Sequence, residues 1–289
     1  MKRMQSVYFL FVITFNQVSQ AIIQSDKPID AQTLLETVGH YLSSNPIIIE
    51  AGAYNGHDTV QLAGLLPNGT VYAFEPVPEL YRELCNSISG YNNIKPINKA
   101  LSDKSGTALM HISHDPSKPE SPSQSSSLLE PKDHLLYAPQ VQFCTTTEVL
   151  TTTINDWAAE EGISSVDIFW FDMQGYELNA LKESLNLLPT VKVIVTEVEF
   201  VEAYKGQYLF NDIKLWLEEQ GFEMIEIHYQ SWFGDAIFIN YQAIEDELAN
   251  KLRTALNEYV MFCKGNLTTE ENDTHHLQDN DVDSQPVTE

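Results

Sequence analysis

The chain has 289 residues, with 41 acidic and 16 basic side chains and a formal net charge of −25. So negative a chain repels phosphate backbones, which argues against nucleic acid as a partner. Cys85, Cys144 and Cys263 are too few and too widely spaced for a disulfide framework or a zinc pattern, and each is expected as a buried apolar filler.

In chain order, residues 1–21 read as an export signal. Lys2 and Arg3 precede an apolar run from Val7 to Phe15, too short for a membrane span of about 20 residues. Ser19 and Ala21 are small side chains at cleavage-site spacing. The mature chain is expected to hold no integral span and to follow the secretory route, with the cytoplasm as the alternative. Sequons at Asn68, Asn266 and Asn272 are glycosylation acceptors only on such a route. Residues 22–44 form a helical lead-in, because DAQTLLETVGHYLS repeats apolar positions at helical spacing.

The main domain is expected over 45–241. Ile47 to Ile49 is a short β-branched run and reads as a buried strand; His57 to Leu66 reads as a helix, stopped by Pro67-Asn68-Gly69. Val71 to Phe74 is a second strand, Pro76 to Ser89 a helix opened by proline, and Ile94 to Ala100 a third strand. Residues 114–135 are rich in Pro and Ser and read as a mobile loop. Val149 to Trp157 leads into a helix, Val166 to Phe171 is a strand, and Tyr176 to Leu188 a helix. Val191 to Val198 is a strand and Tyr208 to Gln220 a helix, and Glu223 to Tyr229 with Ala236 to Asn240 make a hairpin. A C-terminal helix is expected over 242–264 and a disordered acidic tail over 265–289. Strands alternating with helices predict an α/β fold, a parallel sheet covered on both faces, with one antiparallel strand at the end.

Ligands of such sheets bind beyond the carboxyl ends of the strands, and three strand tips here are acidic: Glu50, Glu75 and Asp172. The turn Gly52-Ala53-Tyr54-Asn55-Gly56 permits a tight bend but lacks the dinucleotide spacing G-x-G-x-x-G. Glu50 would repel a pyrophosphate and attract a cation. S-adenosylmethionine has an ammonium, a sulfonium and no phosphate, so it suits that turn. Glu75, 23 residues past Gly52, is placed to accept hydrogen bonds from ribose hydroxyls. The alternative reading of either acid is a favourable charge at a helix N-terminus.

The pattern resembles the FkbM-type family of S-adenosylmethionine-dependent methyltransferases. IIIEAGAYNGHDT resembles its first cofactor motif, with Glu50, Gly52, Asn55 and Gly56; VYAFEPVPELYREL resembles the ribose segment, with Glu75. INKALSD, with Ser102 and Asp103, resembles the segment that meets the adenine, and VDIFWFDMQGYELNALK the acidic motif that opens a helix. Phe171 departs from the family's usual residue before the acid, and Glu50 stands where Asp is commoner. The resemblance implies a class I methyltransferase fold: a doubly wound, mostly parallel seven-stranded sheet, Rossmann-like, with a terminal antiparallel hairpin strand. It implies methyl transfer, usually to a hydroxyl of a small molecule, sugar or lipid. Asp172, Glu177 and Glu197 are the candidate catalytic residues; Glu197 and Glu199 are expected on opposite faces of their strand, so that at most one of them, Glu197, faces the site. His111, His114 and His228 are bases by pKa alone. No metal constellation is apparent, and the oligomeric state stays open. The rival readings are a non-catalytic nucleoside-binding protein on the same fold and a nicotinamide oxidoreductase.

Overall fold

The computed structural model describes residues 38–117 and 122–257. The signal-like start, the lead-in before Val38, Cys263 and the acidic tail lie outside the described residues. The elements are β1 (Ile47–Ala51), α1 (His57–Leu65), β2 (Thr70–Phe74), α2 (Pro78–Ser87), β3 (Ile94–Ile97), β4 (Ala100–Leu101) and β5 (Gly106–His114). Then come α3 (His134–Tyr137), β6 (Gln142–Thr152), α4 (Ile154–Glu161), β7 (Ile168–Phe171), α5 (Glu177–Lys182) and β8 (Val193–Glu199). α6 (Phe210–Glu219), β9 (Glu223–Gln230) and β10 (Phe233–Ile239) follow, and residues 246–257 are helical. No helix of the described residues is long and apolar enough to cross a membrane.

The main sheet has seven strands in the order β3-β2-β1-β7-β8-β10-β9. β10 pairs antiparallel with both β8 and β9, while the other pairings are parallel. The last strand in sequence therefore slots inside the sheet and leaves β9 at the edge. This is the expected doubly wound, mostly parallel seven-stranded sheet, with the strand order reversing direction between β1 and β7.

Alternate side chains of the central strands go to opposite faces. Ile48 and Ile168 point to one layer, with Leu62, Leu84 and Leu252. Ile49, Phe169 and Phe171 point to the other, with Trp157, Leu181 and Leu217. A strand buried on both sides needs an unbroken apolar run, which is why these strands stand out in the sequence. α2 begins at Pro78, two residues later than expected. α4 is capped by the Thr153 side chain, which accepts from the Asp156 N–H at 2.9 Å, and ends at Gly162 with φ 69°.

A second sheet, β4-β6-β5, has no counterpart in the sequence reading. β5 and β6 are half-exposed, and β6 is a run of threonines and short apolar residues without a continuous hydrophobic stretch. Their pairing is long-range and non-periodic in sequence.

The Pro/Ser-rich segment, expected as a mobile loop, is pinned over its described part. His111 and Ser127 exchange both backbone hydrogen bonds, at 2.8 and 3.1 Å. The Ser113 N–H donates to Ser126 Oγ at 3.0 Å, and the Tyr204 hydroxyl to the Ser125 carbonyl at 2.9 Å. Serine hydroxyls do here what apolar contacts do elsewhere, so composition alone did not reveal the strap. Cys144 is exposed and Cys85 half-buried, both as free thiols, so the expectation of buried fillers fails at Cys144.

Candidate active site

β1 runs into a turn that only glycine can make. Gly52 has φ 86°, and a Cβ there would lie 1.7 Å from the Asp172 carbonyl oxygen. The first turn and the tip of β7 thus touch through bare backbone. Gly52 and Ala53 both donate to the Phe74 carbonyl, at 3.1 and 3.0 Å, which ties the turn to β2. Gly56, also at φ 86°, caps α1 and packs against Leu84 and Ile88, away from the cavity wall.

Three strand tips converge on a cavity of about 350 Å³. Glu50 lines it, 2% exposed, and its Oε2 has no hydrogen-bond partner. Burial pushes the Glu50 carboxyl up to about 8, and the negative charges of Asp58, Glu75 and Asp172 push the same way. Glu75 also lines the cavity; its Oε2 accepts from the Tyr54 N–H at 2.9 Å and its Oε1 from the Val77 N–H at 2.8 Å. Burial raises it to about 8 against the pull of those two amides. Each oxygen keeps a free lone pair, so Glu75 can brace the turn and still receive a ligand. Asn55 lines the cavity too, its Oδ1 accepting from the His57 N–H at 3.2 Å. Leu80, Leu101, Met110 and Leu128 give the cavity an apolar end.

Ser102 and Asp103 stand one layer back from that wall. Ser102 Oγ donates to Asp103 Oδ1 at 3.1 Å, and Asp103 accepts from the Tyr176 hydroxyl at 3.0 Å. Tyr176, rather than either of them, meets the cavity.

Beyond β7 the chain turns through Gln174 at φ 56° and Gly175 at φ 90°. The Gln174 side chain is the hub of this turn. Its Nε2 donates to Asp172 Oδ1 at 2.7 Å and to Glu197 Oε2 at 2.6 Å, and its Oε1 accepts from the Tyr204 hydroxyl at 2.8 Å. Burial raises both Asp172 and Glu197, and for Glu197 the nearby Asp172 and Glu199 add to the rise. Glu177 is corrected from a facing carboxylate to a brace: its Oε1 accepts from the Met173 and Gly175 N–H groups at 2.7 and 3.3 Å, behind the turn. Glu199 is also corrected. Residues two apart on a strand share a face, so it lies on the same side as Glu197, buried beneath it.

Asp172 stands on the boundary between this cavity and a second cleft of about 630 Å³. Tyr54, Asp58, Ser123 and Gln124 also belong to both. The second cleft is walled by Glu197, Asp235, His134, Tyr137 and Trp232. His134, Asp235 and Trp232 were missed in the sequence; the acid immediately before the Ala236–Asn240 strand was the visible signal. His111 and His114 sit on β5, and His228 on β9, and none of the three lines either cavity. Among the described residues no group of three or more His, Cys, Asp or Glu could hold a metal ion.

A family profile described as "Methyltransferase FkbM domain" matches residues 50–224. The chain belongs to this family. It is 28% identical over 163 residues to the 2-O-methyltransferase NoeI of Sinorhizobium fredii, covering 56% of this chain and 67% of that protein. It is 24% identical over 210 residues to the methyltransferase sdnD of Sordaria araneosa, covering 63% and 76%. The likeness to solved structures is shallower. The Methanococcus jannaschii fibrillarin pre-rRNA processing protein aligns with TM-score 0.41 and 16% identity over 68% of this chain and 66% of its own, just under two thirds. The Geobacter metallireducens precorrin-6y C5,15-methyltransferase aligns with TM-score 0.40 and 11% identity, over 76% and 94%.

The FkbM family uses S-adenosylmethionine, and the first cavity fits it. An orphaned, buried carboxylate oxygen on Glu50 calls for a hydrogen-bond donor or a cation, which the cofactor's ammonium is. Two acids at the strand tips exclude a pyrophosphate, and the apolar end suits a purine.

Proposed function

We propose that this FkbM methyltransferase moves a methyl group to a hydroxyl oxygen of a small-molecule, sugar or lipid acceptor. The observation that carries this reading is Asp172, which stands between the two cavities with its carboxyl raised by burial. Bound S-adenosylmethionine supplies a methyl group already activated by its sulfonium. Glu50 would hold the cofactor's ammonium and Glu75 its ribose hydroxyls, while Tyr176, steadied by Asp103, flanks the same cavity.

The acceptor hydroxyl enters from the second cleft and gives its proton to an Asp172 carboxylate oxygen. A carboxylate whose pKa is lifted toward neutrality is the better proton acceptor at working pH. Gln174 donates to both Asp172 and Glu197 and so orients them. The similarity to a 2-O-methyltransferase supports oxygen as the atom methylated. Export by residues 1–21 is likewise proposed, from the charged start and short apolar core.

The test is incubation of the full chain with methyl-labelled S-adenosylmethionine and extract of its own organism, followed by identification of the product. Label on an ether oxygen is expected, and Asp172→Asn should lower turnover by about 10²–10⁴, the usual weight of a general base. Label only on nitrogen or carbon would sink the oxygen assignment. No turnover with intact S-adenosylhomocysteine binding would favour a binding protein.

A further inference from the structure

The second cleft is rich in carboxylates, and its described lining holds no lysine or arginine. Asp58, Asp115, Asp172, Glu197 and Asp235 line it, and Gln230 Nε2 donates to Asp235 Oδ2 at 3.2 Å. The β8–β10 register sets Asp235 directly opposite Glu197. Like charges in directly opposed positions destabilise a strand pair, so an ionised Asp235–Glu197 pair calls for a cation between its members. Crowding is visible in the acids themselves: burial lifts Asp235 to about 7, and the charge of Asp172 adds to it.

The rest of the wall points the same way. His134, only 2% exposed, lines the cleft and its Nδ1 has no partner. Burial lowers that imidazole to about 4, so it is neutral at physiological pH and offers no positive charge. Trp232 stacks on Tyr137 with ring centroids 5.7 Å apart and meets the His134 ring at 5.5 Å. Carboxylates facing an aromatic wall form an environment that holds an ammonium on both sides, by ion pairing and by the ring quadrupole.

We propose that the acceptor taken up by this cleft carries a protonated amine besides its reacting hydroxyl, held by Asp235 and Glu197 against the face of Trp232. Acceptors bearing phosphate or carboxylate are turned away by the same acids. The inference rests on the proposed methyl transfer at this site, but concerns the charge of the acceptor rather than the atom methylated.

Three sugars of one shape and three charges test it. The full chain, saturated with S-adenosylhomocysteine, is titrated by calorimetry with D-glucosamine, D-glucose and D-glucose 6-phosphate at neutral pH and low salt. Glucosamine should bind about tenfold tighter than glucose, the scale of one partly desolvated cation contact, with the phosphate weakest. Asp235→Asn should remove most of that advantage, and Trp232→Ala should weaken glucosamine. A flat series, or preference for the phosphate, overturns the proposal even if the variants do not fold, because it is read on the parent chain. Glucose binding that is stronger in Mg²⁺ than in EDTA would assign the carboxylates to a metal ion and also overturn it. The two readings fail separately: label on nitrogen sinks the oxygen assignment alone, and a flat charge series beside an O-methylated product sinks this one alone.

Discussion

Gly52 and Asp172 meet backbone to backbone: a Cβ on the glycine would stand 1.7 Å from the aspartate's carbonyl oxygen. This contact joins the cofactor turn after β1 to the tip of β7, where Asp172 faces both cavities. Neither side can yield to a methyl group, because the obstructing atom is main chain. Gly52→Ala is expected to destabilise by about 2–5 kcal/mol, from left-handed strain plus overpacking. Gly64, exposed in α1 with nothing within 4 Å of its would-be Cβ, is the control. Gly64→Ala should stabilise by about 0.5–1 kcal/mol. Urea unfolding of both variants checks the pair, and a Gly52→Ala protein as stable as the parent would contradict the close approach.

Glu75 and Glu50 should separate in calorimetry with S-adenosylmethionine. Glu75→Ala is expected to weaken binding by about 1–3 kcal/mol and also to loosen the turn, since two backbone amides lose their acceptor. Glu50→Gln should weaken binding while leaving stability unchanged or higher, because it removes a buried acid with an unpartnered oxygen. Unaltered affinity in either variant removes that residue from the cofactor site.

Gln174→Leu deprives Asp172 and Glu197 of their shared donor and leaves the Tyr204 hydroxyl with the Ser125 carbonyl as its remaining acceptor. A loss of about 1–3 kcal/mol in stability is expected, with a fall in methyl transfer. Gln174→Glu should be worse at pH 8 than at pH 5.5, since ionisation adds a charge beside Asp172, Glu197 and Glu199. Melting curves at the two pH values decide; equal losses at both would show that charge crowding is not the cause.

Stability without ligand should fall as pH rises from about 4.5 to about 8. Glu50 and Glu75 ionise near 4.5 in the unfolded chain but near 8 in the folded one, and Asp235 moves from 3.8 to about 7. In that window the folded state holds more protons than the unfolded state, so the slope of stability against pH is negative. A cation at Glu50 favours the ionised form, so S-adenosylhomocysteine, with its ammonium, should raise the melting temperature more at pH 8 than at pH 5.5. A flat or rising apo profile across the window would rule out protonated carboxyls in the folded state.

Export is checked on protein from its native host. Terminal mass spectrometry should find a chain starting at or near Ile22, outside the cytosol. A soluble cytosolic chain that still begins at Met1 or Lys2 contradicts it.

Sequence by itself determined the main sheet and the acid at each of three strand tips. Strands buried on both faces must be largely apolar, so Ile47–Ile49 and Val193–Val195 announce themselves, and the glycines of the first turn stand beside Glu50 because the backbone there has no other option. Local chemistry of that kind is written in local residues. Tertiary structure alone decided the rest. The threonine-rich β6 gains its partner β5 only through long-range pairing, and the serine strap is held by hydrogen bonds that leave no periodic trace. Asp235 enters the site because β10 inserts beside β8 and brings it opposite Glu197, 38 residues earlier. Glu177 leaves it because two backbone amides of the preceding turn claim its carboxylate. Which acid faces a ligand and which one braces a turn depends on where distant segments meet, and no spacing along the chain encodes that.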